Sequence, residues 1–171
     1  MVKTEAVILE PLTRDTRSIL DNLFELYAYD FSEHTPLPIE ASGRFEVSPG
    51  DAWWTREGHF GYLIKVGGQL AGFALARTGS RVTSQVDVMD VAEFFVLRGM
   101  RGRGIGMSAA HALFGAFPGT WEVRVRRTNV AALAFWSRAV AAWVRHPVAS
   151  QPFQSEGVDW DVLRFATSNG S

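Results

Sequence analysis

Three segments of the chain carry apolar residues at helical spacing. In the first, Leu20, Leu23, Phe24 and Tyr27 recur at positions i, i+3, i+4 and i+7, which places them on one helix face. The second segment ends at a Pro-Gly pair, which is typical of a chain that leaves a helix. The pattern predicts helices over residues 14–29, 104–117 and 130–143.

Six other segments are short and apolar or alternating, as is typical of β-strands. They cover residues 6–10, 60–66, 70–77, 87–97, 121–127 and 160–165. Gly67 and Gly68 predict a two-residue hairpin, because glycine tolerates the positive φ angles that such turns need. The order is strand, helix, several antiparallel strands, helix, strand, helix and strand. This order predicts a mixed α/β sheet rather than a doubly wound one.

Two segments fit neither pattern. Residues 30–50 are rich in Pro, Ser and Gly and are predicted to form a long irregular connection. Long loops in compact domains are often functional, so this connection is a candidate lid over a site. Residues 167–171 are predicted to be a frayed polar tail. No repeat or linker divides the sequence, so we expect one domain over residues 1–171.

Composition narrows the classes of function. The chain has 171 residues, of which 47% are hydrophobic, and its formal net charge is -1. Nucleic-acid-binding proteins are usually basic, so a nucleic-acid partner is disfavoured. The chain has 0 cysteines, which excludes a disulfide scaffold, a thiolate metal site and a cysteine nucleophile. Its four histidines lack metal-ligand spacing on one helix face, so we expect no metal.

The sequence also bears on location. No apolar run approaches the roughly 20 residues that a transmembrane helix needs. The first residues lack the long apolar stretch of a signal peptide. We therefore expect no membrane association and a cytoplasmic location.

The most informative segment lies between the fourth predicted strand and the second helix. Gly102, Gly104 and Gly106 stand at alternate positions and let the backbone approach a ligand closely. The following helix presents unpaired N–H groups and the positive end of its dipole, a combination that binds anions. Three arginines in the same stretch add charges that suit phosphate groups: Arg98, Arg101 and Arg103. The segment predicts a site for a pyrophosphate or polyphosphate.

Two common phosphate-binding loops fit this segment less well. A Walker A loop ends in Gly-Lys-Ser/Thr, whereas Ile105 follows Gly104 here. The dinucleotide-binding pattern G-x-G-x-x-G/A matches residues 104–109 literally. However, too few residues follow to build the rest of that sheet. The acidic residue expected about 20 positions later, at the end of the next strand, is also missing.

The acyl-CoA loop pattern R/Q-x-x-G-x-G/A fits in full from Arg101 to Gly106. Here the chain resembles the GNAT (Gcn5-related N-acetyltransferase) superfamily. The resemblance implies a mostly antiparallel twisted sheet flanked by helices, with a splayed strand pair that holds acyl-CoA. It also implies acetyl-CoA as co-substrate, with its pyrophosphate on the loop amides. The cofactor-binding residues implied at the strand end and loop are Phe95, Val96, Leu97, Arg101, Gly102, Arg103, Gly104, Ile105, Gly106 and Met107.

A second group of residues downstream supports the resemblance. Asn129 precedes a predicted helix that reads Ala-x-x-Phe-Trp, and Asn is well suited to cap it. In the family this Asn also bonds the pantetheine arm, which implies cofactor contacts from Asn129, Ala132, Phe135 and Trp136. The alternative is that Asn129 is only a cap and the aromatic residues only core. The resemblance spans roughly residues 60–143. Residues 23–33 look like the first helix of a group of bacterial predicted acetyltransferases.

The usual general acid of the family is absent. Many members place a Tyr seven residues after the Asn, and this chain has Trp136 there. An indole N–H cannot usefully supply a proton at neutral pH. Either the thiolate leaves unassisted or another group donates, and the only tyrosines are Tyr27, Tyr29 and Tyr62.

Glu93 is the candidate general base. It lies in an apolar run of the strand before the loop, where some family members place a base Glu. A carboxylate beside aromatic residues has a raised pKa, which suits a base near neutrality. Asp90 is the runner-up, because a bulge usual in this strand blurs the register. Alternatively, Glu93 faces solvent or pairs with Arg124 or Arg126 of the next strand.

The leading functional hypothesis is transfer of an acetyl group from acetyl-CoA to a primary amine, by direct attack in a ternary complex. The alternatives are a non-catalytic acyl-CoA-binding or sensing domain, a nucleotide-dependent oxidoreductase and an interaction domain. The acceptor is expected to be a small-molecule or peptide amine. Asp30, Glu33 and Glu40 near the candidate lid indicate a cationic acceptor, or are solvated loop charges. The sequence leaves the oligomeric state open, and the resemblance makes a homodimer one candidate, since many members of the family are dimers.

Overall fold

Seven strands form one sheet within residues 6–167, the part of the chain that the computed structural model describes. The strands are β1 Val7–Pro11, β2 His59–Val66, β3 Gln69–Thr78, β4 Val88–Val96, β5 Gly119–Arg126, β6 Gln151–Ser155 and β7 Val158–Thr167. Their order across the sheet is β1-β2-β3-β4-β5-β7-β6. The pair β4–β5 is parallel and the other neighbouring pairs are antiparallel. The predicted mixed α/β fold with a mostly antiparallel sheet is confirmed.

Helices cover both faces of this sheet. They are α1 Arg17–Phe31, α2 Ala52–Thr55, α3 Ile105–Ala116 and α4 Val130–Val144. On one face, Leu20, Leu23 and Phe24 of α1 pack against Phe73 and Leu75 of β3. On the other face, the apolar residues of α3 and α4 join a larger core with β3, β4, β5 and β7. The spacing of apolar residues in the sequence therefore identified the buried helix faces.

The first helix begins three residues later than predicted. Arg14–Thr16 form a 3-10 turn, in which the hydroxyl of Thr16 accepts a bond from the Thr13 amide (2.9 Å) and donates to its carbonyl oxygen (3.0 Å). Such side-chain bonds to the backbone compete with α-helical bonding, and the α-helix starts only after them. The second and third predicted helices agree with α3 and α4 to within one residue at each end.

Two elements have no counterpart in the sequence pattern. β6 contains Pro152, which marks a segment as a poor strand, but an edge strand tolerates proline because one side of it needs no ladder bonds. α2 is a single turn, too short to show a period. β7 extends beyond the predicted strand at both ends and takes in Thr167. The rest of the predicted tail, residues 168–171, lies outside the described residues.

The parallel strands β4 and β5 separate half-way along their length. Their pairing runs from Val88 opposite Thr120 to Val91 opposite Val123 and then stops. β4 continues for five residues beyond this point and β5 for three. The unpaired carboxyl ends leave a cleft between the two halves of the sheet.

An extra residue in β4 determines which side chains face this cleft. Val91 and Glu93 lie opposite consecutive residues of β3, so Ala92 between them is a β-bulge. Side chains alternate between faces in a regular strand, and positions 90 and 93 would then face opposite sides. The bulge instead places Asp90 and Glu93 on the same face, the one covered by α1.

Candidate functional site

The predicted phosphate loop lies where β4 ends and α3 begins. After a 3-10 turn over Arg98–Met100, the chain reaches α3 through Gly102 and Gly104, whose φ angles are 74° and 77°. Glycine adopts this left-handed conformation without the strain that a Cβ brings. At both glycines a Cβ would meet no atom within 4 Å. The loop backbone is therefore open to the approach of a ligand.

The amides that lead into α3 have no partner in the described chain. The N–H groups of residues 102–107 donate to no acceptor among residues 6–167, and the first helical bond is donated by Ser108 to the carbonyl of Gly104 (3.0 Å). Unpaired amides at a helix start carry the positive end of the helix dipole. The loop and the helix start together form an anion-binding arrangement.

A cavity of about 630 Å³ borders this loop; we call it the loop cavity. Most of the residues predicted to contact the cofactor line it, namely Phe95, Val96, Arg101, Gly102, Gly104, Gly106, Met107, Asn129, Ala132, Phe135 and Trp136. Three others do not. Ile105 is buried in the core, Leu97 packs on the α1 side of the sheet, and Arg103 turns towards the sulfur of Met100 (3.4 Å).

Two residues bring α4 alongside the loop cavity. Asn129 caps this helix as predicted, because its side-chain oxygen accepts a hydrogen bond from the amide of Ala132 (3.0 Å). Gly106 in the first turn of α3 lets the helices approach, since a Cβ there would come within 3.2 Å of the Phe135 ring. The wall opposite the loop therefore depends on one cap and one glycine.

Asp30, on α1, forms ion pairs with two arginines of the loop. Asp30 accepts hydrogen bonds from Arg98 (2.5 Å) and Arg101 (2.6 Å), and Arg101 also donates to the carbonyl of Val96 (2.8 Å). Burial raises the pKa of Asp30, but the bonds from the two arginines outweigh it and hold the pKa below its usual value. Asp30 is therefore ionised at neutral pH and orients both guanidinium groups beside the loop cavity.

A second cavity of about 400 Å³ lies between α1, the long connection after it and the splayed ends of β4 and β5; we call it the splay cavity. Leu37, Val47 and Ser48 of that connection line it, so the candidate lid lies against this cavity. The two cavities are adjacent, because six residues line both of them: Tyr27, Phe31, Phe94, Asn129, Ala132 and Trp136. Small-molecule sites commonly measure ~300–1,000 Å³.

Glu93 lies in the splay cavity and is bonded to α1. Its carboxylate accepts a hydrogen bond from the hydroxyl of Tyr27 at 2.5 Å. Burial raises the pKa of Glu93, and this effect outweighs the opposing effects of the Tyr27 hydroxyl and of Arg77 and Arg124. Burial and the charge of Glu93 likewise raise the pKa of Tyr27. Tyr27 is therefore a neutral phenol, and Glu93 is a carboxyl group whose proton affinity is above normal.

Asp90, the other candidate base, is fully buried and does not line either cavity. It accepts hydrogen bonds from Arg77 of β3 (3.0 Å) and Arg124 of β5 (3.2 Å). Both arginines line the splay cavity. Asp90 therefore links three strands at the point where the sheet opens.

The sequence gives no sign that Trp160 lies at a site, indicates Arg126 only as an alternative partner of Glu93, and leaves Tyr27 as one of three tyrosines. Tyr27 fits an apolar helix stripe, and 66 positions separate it from Glu93. Arg126 and Trp160 are opposite each other on β5 and β7, with the guanidinium carbon 5.2 Å from the indole ring centre. The one available signal is that Arg124 and Arg126 alternate with apolar residues in a strand.

Among residues 6–167, no group of three or more His, Asp or Glu side chains is placed to hold a metal ion. None of the helices in this range has both the length and the apolar character that crossing a bilayer requires.

Comparison with known proteins identifies the family. Residues 20–140 match the acetyltransferase (GNAT) family, and this range contains the loop, Glu93 and Asn129. No curated protein sequence matches the chain. An acetyltransferase from Thermus thermophilus has a similar fold, with 15% identity and a TM-score of 0.70 over 94% of this chain and 97% of that one.

Two further solved structures with this fold contain coenzyme A. Aminoglycoside acetyltransferase AAC(6')-Ib, in complex with coenzyme A and kanamycin, is 12% identical with a TM-score of 0.70 over 94% of this chain and 95% of that one. A Bacillus subtilis acetyltransferase in complex with coenzyme A is 14% identical with a TM-score of 0.55 over 96% and 99%. Because the family match covers more than half of its length, this chain belongs to the GNAT acetyltransferase family.

Proposed function

We propose that this protein is an N-acetyltransferase that transfers the acetyl group of acetyl-CoA directly to a primary amine while both substrates are bound. The observation that carries the proposal is that two cavities lie side by side at the splay, one bordered by the phosphate loop and the other lined by Glu93. The family match supports acetyl transfer, and the coenzyme A in two structures of similar fold supports the co-substrate.

The residues around the loop cavity fit coenzyme A. The free amides of residues 102–107 suit its pyrophosphate, because they combine open backbone with a helix start. Arg98 and Arg101 lie beside them and add positive charge. Asn129 and the Phe135–Trp136 pair line the side that runs towards the splay, where the pantetheine arm would lie. When bound, acetyl-CoA supplies an acetyl group activated as a thioester.

Glu93 acts as the general base in this proposal. As the nitrogen–carbon bond forms and the carbon–sulfur bond breaks, Glu93 takes the proton that the amine loses. Its raised pKa favours this role, since a base with a pKa nearer the working pH accepts protons more effectively. Asp90 is less suited, because it is fully buried and held by two arginines.

Tyr27 takes the place of the missing general acid. Tyr27 lines both cavities and its hydroxyl is bonded to Glu93, so it is the tyrosine best placed to pass a proton from the base to the leaving sulfur. The Tyr27 proton passes to the sulfur as protonated Glu93 delivers its proton to the phenol oxygen, so no phenolate forms and both side chains are restored. The net result is one proton moved from the amine to the sulfur. Trp136 packs against Phe94, with ring centres 5.0 Å apart, and serves as part of the cavity wall.

The first test measures ligand binding and turnover on the purified protein. Acetyl-CoA and coenzyme A are expected to raise the melting temperature and NAD is not, because a ligand that binds only the folded state stabilises it. Turnover with a panel of primary amines is then followed with a thiol reagent. The chain has 0 cysteines, so released coenzyme A is the only thiol.

Three results discriminate the possible functions. Thiol release that depends on an amine supports the acetyltransferase. Binding of acetyl-CoA without turnover on any amine would favour the non-catalytic sensing domain. A melting temperature unchanged by either form of coenzyme A would refute both. A cytoplasmic location, the absence of a nucleic-acid partner and a homodimer stay predictions, and light scattering of the purified protein tests the last.

A further inference from the structure

One arginine of the splay cavity, Arg126, has no ionic partner within residues 6–167. The Nε atom of Arg126 is buried and has no hydrogen-bond partner among the described residues. The arginines on either side of it in the sequence are both paired: Arg124 with Asp90 (3.2 Å) and Arg127 with Asp161 (3.6 Å). A buried polar atom without a partner costs free energy, so such atoms are rare and call for a specific explanation.

Aromatic packing does not remove this deficit. The guanidinium carbon of Arg126 lies 5.6 Å from the ring centre of Phe31 and 5.2 Å from that of Trp160. Aromatic rings stabilise the charge through the flat faces of the guanidinium group. Its N–H donors point outward in the plane of the group and need an acceptor there. Phe31, Arg126 and Trp160 all line the splay cavity, so an acceptor bound there lies against the guanidinium group.

The charges around the splay cavity also favour an anion. Arg77, Arg124 and Arg126 line it, and the only carboxylate among its lining residues is Glu93. Asp90 lies behind the wall and is shared between the first two arginines. The acidic residues near the candidate lid do not restore the balance: Asp30 and Glu33 line the loop cavity, and Glu40 lines neither.

We propose that the acetyl acceptor is a primary amine that also carries an anionic group, and that Arg126 binds this group. The inference rests on the proposed acetyltransferase function and specifies its substrate class. Arg126 holds the anion while Glu93, in the same cavity, takes the proton of the amine. Acceptors with several ammonium groups, such as aminoglycosides, are disfavoured because the three arginines repel them.

The substrate class can be tested with matched pairs of amines. Each pair has the same carbon chain with and without the anion: β-alanine and ethylamine, 4-aminobutyrate and propylamine, 6-aminohexanoate and pentylamine. 2-Aminoethylphosphonate replaces the carboxylate by a phosphonate and distinguishes the two anions. We expect at least one anionic member to exceed its neutral partner about tenfold or more in kcat/KM, since hydrogen bonds to charged groups are worth ~1.5–3 kcal/mol. Kanamycin should give no thiol release.

Two variants separate a binding role from a structural one. In R126M, KM for the anionic amines should rise about tenfold or more while the neutral amines keep their KM, so the preference disappears. R126K keeps the charge and should retain part of the preference. R127M is the matched control, because Arg127 is adjacent in sequence, half-exposed and lines neither cavity. Calorimetry with protein saturated by coenzyme A measures binding of the same amines without turnover.

The outcomes distinguish failure of the proposed substrate class from failure of the proposed acetyltransferase function. Equal kinetics within all pairs, or equal losses for both members in R126M, would overturn the anionic acceptor and leave the acetyltransferase intact. Binding of coenzyme A with no anionic amine either bound or acetylated would also overturn it. Failure to bind acetyl-CoA at all would instead refute the acetyltransferase proposal itself.

Discussion

At the residue scale, the hydrogen-bonded pair of Tyr27 and Glu93 bears most directly on proton transfer in the site. It joins a helix to a strand through one hydrogen bond at the junction of the two cavities. Burial raises the pKa of both groups, but only Glu93 is thereby brought closer to neutral pH. The pair therefore contains one group that accepts a proton readily and one phenol that gives up its proton only as protonated Glu93 replaces it.

Replacing the proposed base should slow catalysis and change its pH dependence. We expect E93Q to lower kcat about 100-fold or more, a typical loss for a general base. In the wild type, the rate rises with pH as Glu93 loses its proton, at a pH above the usual range of a Glu carboxyl. This rise should be absent in E93Q. Wild-type kinetics in E93Q, with the same pH profile, would show that Glu93 is not the base.

Removing the Tyr27 hydroxyl should shift the same profile. In Y27F the carboxylate of Glu93 loses the hydrogen bond that favours its charged form, so the pKa of Glu93 should rise further. The pH–rate curve should move to higher pH by about one unit, as expected for a bond of ~1.5 kcal/mol. Y62F is a suitable control, since Tyr62 lies on β2 and lines neither cavity. An unmoved curve in Y27F would exclude this coupling.

The sequence predicts the site role of Glu93 better than that of Tyr27. Glu93 stands out because a charged residue interrupts an apolar strand just before a glycine-rich loop, which is local information. Tyr27 looks like any aromatic residue on an apolar helix face. Its partnership with Glu93 depends on where α1 crosses the sheet, and no local pattern encodes that. The buried Nε of Arg126, which has no hydrogen-bond partner among residues 6–167, depends on the same tertiary arrangement.

At the element scale, the loop and the bulge illustrate what local sequence can and cannot specify. Alternating glycines before a helix predict a backbone open to a ligand and unpaired amides at the helix start. Gly102 and Gly104 have positive φ angles, and the amides of residues 102–107 have no partner among residues 6–167. The bulge at Ala92 carries no such signal, because it is defined only by the residues opposite on β3. Pro152 makes its segment a poor strand by local pattern. The strand is tolerated because β6 lies at the edge of the sheet, which the local sequence does not specify.

Adding a side chain at Gly104 tests whether the left-handed backbone of the loop contributes to stability and to acetyl-CoA binding. G104A places a Cβ on a residue with φ of 77°, which costs about 1 kcal/mol. We expect a melting temperature lower by roughly 2–4 °C and weaker acetyl-CoA binding by calorimetry. G99A is the control, because Gly99 is in the same loop without a positive φ and has no atom near a Cβ. Equal behaviour of the two variants would contradict this explanation.

At the scale of the whole molecule, buried charge holds the sheet together where its strands part. Asp90 has no exposed surface and binds arginines on both neighbouring strands. The structure therefore assigns it a linking position between β3, β4 and β5, although the sequence alone left it open as a second candidate base. Removing one member of such a buried group leaves charges without compensation.

D90N should destabilise the protein far more than a surface change. The expected loss in unfolding free energy is about 3–5 kcal/mol, measured by urea denaturation. The control is D87N, since Asp87 is exposed and only three positions earlier, and its effect should stay within about 0.5 kcal/mol. A stable D90N variant with lost activity and an altered pH profile would instead favour Asp90 as the base.

Glu93 should also affect global stability in a pH-dependent manner. Its pKa is higher in the folded than in the unfolded chain, so its stabilising contribution is complete below the unfolded pKa and is lost as pH rises through the folded one. E93Q should therefore match the wild type at low pH and become relatively more stable as pH rises through that window. Parallel melting curves across pH would contradict the raised pKa.

The short parallel seam between β4 and β5 has a consequence for folding. β1 to β4 form antiparallel neighbours in an unbroken order, whereas β5, β7 and β6 form a second group that joins them through only four paired positions. Contacts between segments close in sequence form faster than the long-range pairing across a parallel crossover. We expect the hairpin of β2 and β3 to form early and the two groups to dock late. The missing ladder bonds that open a cleft for substrates would thus also make the seam the least cooperative part of the sheet.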